Sequence, residues 1–143
     1  MPAIPAPEAG LVIAYSYLGR REHAVGQDEG RKDRPGVIVL AVERHGDRVP
    51  VVTVLPITHA APTDPRTAVE IPQAVKRHLG LDDLRSWVVV DEGNEFAWPG
   101  YDLRTDQRSG EYAYGFLPPR FFRTIVEAFI ALHPSGRDLI SRD

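Results

Sequence analysis

Apolar segments of strand length recur along this chain of 143 residues, with turn residues between them. Most of these segments are rich in β-branched and aromatic side chains, which favour β-strands. Residues 37–42 are apolar without interruption, as expected of a central strand that is covered on both faces. The predicted strands are residues 11–17, 37–42, 49–55, 68–71, 86–91 and 111–116.

Two other segments have helical patterns. Residues 72–80 start with a proline and end with a glycine, which suit the first position of a helix and the position after its end. Residues 120–132 carry apolar side chains at helical spacing on one face. These side chains are Phe122, Ile125, Val126, Phe129 and Ile130. Short strands followed by one terminal helix favour a small barrel or a sandwich over βαβ units.

The length and the apolar content predict one domain. A chain of 143 residues with 43% hydrophobic residues can bury one core. Residues 1–9 contain three prolines and are expected to form an extended arm, residues 10–133 the domain, and residues 134–143 a tail. Residues 18–33 mix basic and acidic side chains and are expected to form a polar loop.

The charge balance excludes binding by bulk charge. Seventeen basic residues against twenty acidic residues give a net charge of −3, so any cationic site must be local. The lack of cysteine excludes disulfides, thiolate metal sites and a cysteine nucleophile, and it fits a reducing compartment. With no apolar run of membrane-spanning length and no secretory signal pattern, the expectation is a soluble, cytoplasmic protein.

Known cofactor and metal motifs are missing from the sequence. It contains no phosphate-binding glycine loop, no zinc-protease helix and no serine-nucleophile elbow. Its five histidines do not fall at ligand spacing on one predicted helix. No cofactor or metal is therefore expected.

Several short motifs occur in an order that resembles a known family. They are Gly-x-Val at 10–12, Arg-Pro-Gly-Val-Ile-Val at 34–39, Val-Leu-Pro-Ile-Thr at 54–58, Gly-Leu at 80–81 and Ser-Trp-Val at 86–88. The chain resembles the PemK/MazF family of toxin endoribonucleases over residues 10–132. The resemblance implies an SH3-like small barrel with a C-terminal helix, a homodimer, metal-independent cleavage of single-stranded RNA, and inhibition by a cognate antitoxin protein.

Two residues match that family's phosphate-binding pair. Cleavage of RNA through its own 2′-hydroxyl needs proton transfer, and it needs positive charge or hydrogen-bond donors at the phosphate. Arg34 matches the catalytic arginine and would clamp the scissile phosphate. Thr58 matches the family's threonine, whose hydroxyl would donate to the same phosphate. The structural alternatives are a surface arginine before a turn proline and a threonine that caps a strand.

The acid and the base have several candidates. His59 directly follows Thr58, and a histidine can exchange a proton near neutral pH. Strand alternation would nevertheless turn it away from Thr58. His23 in the polar loop is a second candidate, and either can be a plain loop histidine. Glu92 lies roughly where the family has a polar active-site residue and would act as a base or pair with an arginine.

Other residues are candidates for binding the RNA chain. Arg31 and Lys32 lead into the Arg34 segment and could follow the phosphate backbone, or form a solvated face. Tyr17 and Trp98 could stack on bases, as could Tyr101. Trp98 could equally plug the end of the barrel.

Two segments depart from the family pattern and indicate a divergent branch. The loop of residues 18–33 is long and more acidic than a loop that grips RNA should be, and residues 91–104 have no counterpart in the family pattern. The alternative function is a catalytically silent barrel that binds a protein or nucleic-acid partner through residues 93–104. A toxin that acts by binding another enzyme lies between the two hypotheses.

Overall fold

The computed structural model describes residues 3–17, 32–43, 49–100, 103–133 and 140–141. The strands in these ranges are β1 (Leu11–Tyr17), β2 (Lys32–Glu43), β3 (Pro50–Thr58), β4 (Ala68–Glu70), β5 (Trp87–Val89), β6 (Asn94–Ala97), β7 (Leu103–Arg104), β8 (Ala113–Phe116) and β9 (Ile140–Ser141). The helices are α1 (Gln73–Leu79) and α2 (Pro119–Leu132). A mainly β fold with helices, one of them C-terminal, is confirmed.

The described strands form one sheet around β2 and β3. Its order is β4-β5-β3-β2-β1-β7; β8 also pairs with β1, and β6 with β3. Eight strands pair antiparallel, and β9 joins β6 in parallel. Within the described ranges the sheet is not closed, so the β-rich class is shown and closure into a barrel is not.

Apolar side chains cover both faces of this sheet. Val37 packs into the cluster that includes α1 and α2, and its neighbour Ile38 packs into a second cluster on the opposite side. This arrangement explains the uninterrupted apolar run in β2, since successive strand residues point to opposite faces. This apolar coverage stops before the end of β2, however. Leu40 and Val42 lie about half exposed, beyond a register shift between β2 and β3.

Both predicted helices are present, and each differs from its predicted range by a residue at an end. Gly80 follows α1 with φ +71°, and its N–H bonds back to the carbonyl of Arg77, as a left-handed cap requires. The second helix begins at Pro119, and its Ile125 is fully buried. Of the helices in the described residues, none is long and apolar enough to cross a membrane.

Two short strands were not predicted. No strand was expected between residues 91 and 111, yet this segment contributes β6 to β3 and β7 to β1. The pairing partners lie far away in sequence, so no local pattern marks these strands. Likewise β2 and β3 extend beyond their predicted ends and include Arg34 and Thr58.

Gly36 is the point at which β1, β2 and β3 pack most closely. It faces Ile13 on β1 and Pro56 on β3. A Cβ atom at this position would contact the Tyr15 ring and lie 2.7 Å from Cγ1 of Val54. No side chain larger than hydrogen fits here unless these neighbours move.

We therefore expect Gly36→Ala to lower the free energy of unfolding by about 1–3 kcal/mol, because it overpacks a filled core. Urea denaturation measures this loss. In the double variant with Val54→Ala, the new methyl group gains room, so the combined loss should be smaller than the sum of the single losses. Strict additivity of the two losses would contradict this account.

Candidate functional site

A cleft of about 570 Å³ opens where β2 begins and β3 ends, beside the connection from α1 to β5. It brings together segments that are far apart in sequence. The residues that line it are Arg34, Pro35, Ile57, Thr58, His59, Ala60, Leu81, Asp82 and Ser86. Three of the predicted catalytic residues, Arg34, Thr58 and His59, are among them.

The β2–β3 pairing brings Arg34 and Thr58 to the same end of the sheet. The ladder between the two strands ends at the pair of Gly36 with Pro56. Arg34 lies two residues before Gly36 and pairs with Tyr15 of β1, and Thr58 lies two residues after Pro56 and pairs with β5. Both residues line the cleft at this end.

A local turn orients the Thr58 hydroxyl and brings His59 into the cleft. The N–H of Ala60 donates to Oγ1 of Thr58 at 3.1 Å. This bond uses an acceptor site of the hydroxyl, whose proton can still be donated to a ligand. Because β3 ends at Thr58, strand alternation no longer applies to His59. The alternation that would turn His59 away from Thr58 therefore does not extend to it, and both residues line the cleft.

His59 belongs to a hydrogen-bonded chain that leads into the protein. Its Nε2 lies 2.8 Å from Oδ2 of Asp82. The other carboxylate oxygen of Asp82 accepts from Nζ of Lys76 at 2.8 Å and from the N–H of Leu84 at 3.1 Å. Lys76 is only 1% exposed, and its Nζ also donates to the carbonyl of Leu84. The buried ammonium of Lys76 thus binds the Asp82 carboxylate, and this carboxylate binds the His59 ring.

The ionisation of Asp82 follows from these contacts. Partial burial raises the pKa of its carboxyl, but the hydrogen bonds from Lys76 and His59 outweigh that effect and hold the pKa below its ordinary value. Asp82 is therefore a carboxylate at neutral pH. The His59 ring beside it is 54% exposed and can be reached from solution.

The chemistry of the cleft fits a phosphodiester. It offers one guanidinium, two hydroxyl groups and an imidazole ring against partly apolar walls. The second hydroxyl, on buried Ser86, donates to the carbonyl of Leu84 at 3.2 Å. A guanidinium and a hydroxyl donor can bind the anionic oxygens, and a histidine can transfer a proton.

Glu92 does not join this cleft. It lies in the connection between β5 and β6, between the residues that pair these two strands with β3. It is not among the described residues that line the cleft. Among the described residues that line the cleft, the only carboxylate is that of Asp82.

The predicted RNA-binding residues are only partly placed. Trp98 is 6% exposed, packs in the second core cluster and donates its Nε1–H to the carbonyl of Pro5 at 3.0 Å. Such burial favours the packing role over base stacking. Tyr17 and Lys32 face each other across β1 and β2, and only their backbones are described. Outside the described residues lie Arg31, His23 and Tyr101.

Sequence reasoning missed Asp82, Lys76 and Ser86. Adjacent acids such as Asp82 and Asp83 are usually solvated or capping groups, and a lysine in the last turn of a helix usually interacts with the helix dipole, so neither pattern indicated a site. The sequence contained one indication that Lys76 is buried. It lies three residues before Leu79 and next to Val75, on the face of α1 that the apolar spacing predicts to be buried.

Comparisons with known proteins identify no family. The chain matches no protein-family model, and it matches no curated protein. The PemK/MazF resemblance therefore stays a prediction from the sequence motifs. In the described ranges, no group of three or more histidine or acidic side chains could hold a metal ion.

We expect Asp82→Ala to lower the free energy of unfolding by about 2–3 kcal/mol at pH 7, because it leaves the buried ammonium of Lys76 without its carboxylate. This loss is below that for a fully buried pair, since the Asp82 side chain is 41% exposed. The matched control is Asp83→Ala, which should change the stability by less than about 0.5 kcal/mol. Equal losses in the two variants, measured by urea denaturation, would contradict the role of the pair.

The same contacts predict a pH dependence. The pKa of Asp82 in the folded chain lies below its ordinary value of about 3.9, so its stabilising contribution is complete above that value and declines as the pH falls. The stability difference between the parent protein and Asp82→Ala should therefore shrink as the pH falls below about 4. A difference that stays the same from about pH 5 down to about pH 2 would contradict this assignment.

Proposed function

We propose that this chain is a metal-independent endoribonuclease that cleaves single-stranded RNA through the RNA's own 2′-hydroxyl. One observation carries the proposal. Arg34 and Thr58 lie 24 positions apart in sequence, yet both line one cleft that also includes His59, at the end of the β2–β3 pairing. They are the two residues that the sequence motifs match to a phosphate-binding pair.

Each of the two residues has a role at the scissile phosphate. Attack of the 2′-oxygen builds negative charge on the non-bridging oxygens, and fixed donors stabilise that charge. The guanidinium of Arg34 can bind two such oxygens, and the Thr58 hydroxyl can donate to one. The fixed strand pairing of both backbones keeps these donors in place during the reaction.

The charge balance around the cleft supports anion binding. The whole chain is acidic, with a net charge of −3, so attraction of RNA depends on local charge. Asp82 is the carboxylate among the described cleft residues, and the ammonium of Lys76 at 2.8 Å balances its charge. That carboxylate therefore adds little net negative charge to the cleft.

The wider proposal follows the motif resemblance. The mainly β sheet and its C-terminal helix support an SH3-like barrel of the PemK/MazF kind. In this proposal the protein is a homodimeric, toxin-like growth inhibitor in the cytoplasm, part of a type II toxin–antitoxin system, and its partner is a cognate antitoxin. Within residues 93–104, β6 and β7 account for six residues, and Asn94 and Phe96 are buried, which does not favour the alternative of a contact loop there.

The decisive test is cleavage of a mixed-sequence single-stranded RNA by the purified protein in EDTA. The expected fragments end in a 2′,3′-cyclic phosphate on one side of each cut and a 5′-hydroxyl on the other. Intact RNA at an excess of protein would overturn the proposal and favour a binding module.

We expect Arg34→Ala and Thr58→Val each to lower kcat by about 100-fold or more, because each removes a donor to the developing charge. Matched controls lie outside the cleft lining: Arg66→Ala removes an exposed arginine, and Thr124→Val an exposed threonine of α2. Both controls should cleave at the parent rate. Full cleavage by both cleft variants would contradict this mechanism even if the parent protein is a nuclease.

A further inference from the structure

We propose that Asp82 is a positioning residue for His59, and that it holds the ring so that Nδ1 serves as the general base of the cleft. Lys76 anchors Asp82 from the interior. This inference rests on the proposed function and deepens it, since it assigns the proton transfer that Arg34 and Thr58 cannot supply. It adds two residues that the motif resemblance does not include.

The anchor is rigid because it is buried and has several partners. Nζ of Lys76 donates to Asp82 and to the carbonyl of Leu84, and the N–H of Leu84 donates back to the same Asp82 oxygen. Lys76 lies on the apolar face of α1 between Val75 and Leu79, so the helix itself fixes the ammonium. The carboxylate is thereby held in one orientation, with Oδ2 directed to His59.

The hydrogen bond to Asp82 selects the tautomer of the ring. An ionised carboxylate can only accept hydrogen bonds, so at Asp82 the His59 Nε2 must carry the hydrogen. In the neutral ring the lone pair then resides on Nδ1. In many proteins a carboxylate partner fixes, in this way, which ring nitrogen of a histidine carries the hydrogen and which one keeps the lone pair.

The position of the ring suits proton transfer in the proposed reaction. His59 directly follows Thr58, lines the same cleft and is half exposed. The 2′-hydroxyl proton would pass to Nδ1 while the 2′-oxygen bonds to phosphorus and the bond from phosphorus to the 5′-oxygen breaks. A water molecule protonates the departing 5′-oxygen, and the imidazolium later releases its proton to water.

Among the described residues that line the cleft, Arg34 and Asp82 are the ones with charged side chains. Arg34 on β2 lines the same cleft, and Asp82 with its partner Lys76 faces the ring from the α1–β5 side. Asp83 is the neighbouring acid in sequence and is not among the described residues that line the cleft. It therefore offers a matched control for a substitution at Asp82.

The test compares Asp82→Asn with Asp83→Asn in the RNA assay. The amide of Asp82→Asn keeps an oxygen for Lys76, but its NH₂ group faces His59 and favours the tautomer with hydrogen on Nδ1. We expect kcat to fall by about 100-fold or more with little change in KM. His59→Gln should produce a similar loss, and the double variant should add little. Asp83→Asn should retain the parent kcat.

The pH profile separates positioning from a structural effect. With the base in place, kcat should rise with pH and then level off once the ring is neutral. In Asp82→Asn, hydroxide must replace the base, so the residual rate should keep rising with pH over the same range. Asp82→Glu, which restores a carboxylate, should recover part of kcat and the plateau. A purely structural loss would lower kcat equally at every pH.

The outcomes distinguish this inference from the proposed function. If the parent protein cleaves RNA and Asp82→Asn retains its kcat and plateau, the inference is wrong and the nuclease proposal stands. If the parent protein leaves RNA intact, both are overturned. Nitrogen-15 NMR of the histidine rings provides an independent reading, with the His59 signal identified by its loss in His59→Gln. Hydrogen on Nδ1 of neutral His59 in the parent protein would contradict the assigned tautomer.

Discussion

The pairing register between β2 and β3 is the constraint on which the core and the candidate site depend. Side chains alternate between faces along a strand, so a slip of one residue would exchange the two core clusters and would also turn Arg34 away from Thr58. Gly36 helps to specify this register, because Tyr15 and Val54 leave no room for a side chain at the crossing. The β2–β3 register therefore fixes both the packing of the core and the geometry of the site.

The buried pair of Lys76 and Asp82 links the helical layer to the same site. Burying an ammonium is costly unless it is paired and hydrogen-bonded, and here a carboxylate and a carbonyl meet that requirement. The pair holds the α1–β5 connection against the end of β3, where His59 is bound. Stability and the proposed proton transfer thus share a carboxylate, which is why the test of the proton transfer needs a variant that keeps an acceptor for Lys76.

Much of the fold could be predicted because its signals are local. The apolar segments located β1 and the centres of β2 and β3, and the Pro72 and Gly80 pair bounded α1. The strands β6 and β7 could not be found in this way, because their hydrogen bonds depend on partners in β3 and β1 rather than on their own composition. For the site, Arg34, Thr58 and His59 could be named from motifs, whereas Glu92 was named with them and lies outside the cleft.

The sequence by itself determined the β-rich class, the two helices, the lack of cysteine chemistry and the residue types suited to a phosphate. These features depend on composition and on spacing within a few residues. Only the tertiary structure decided that His59 faces Asp82, that Lys76 is buried behind it, and that Trp98 belongs to the core. Each of those facts depends on contacts between distant segments, where burial and hydrogen bonding override what a side chain would do in isolation.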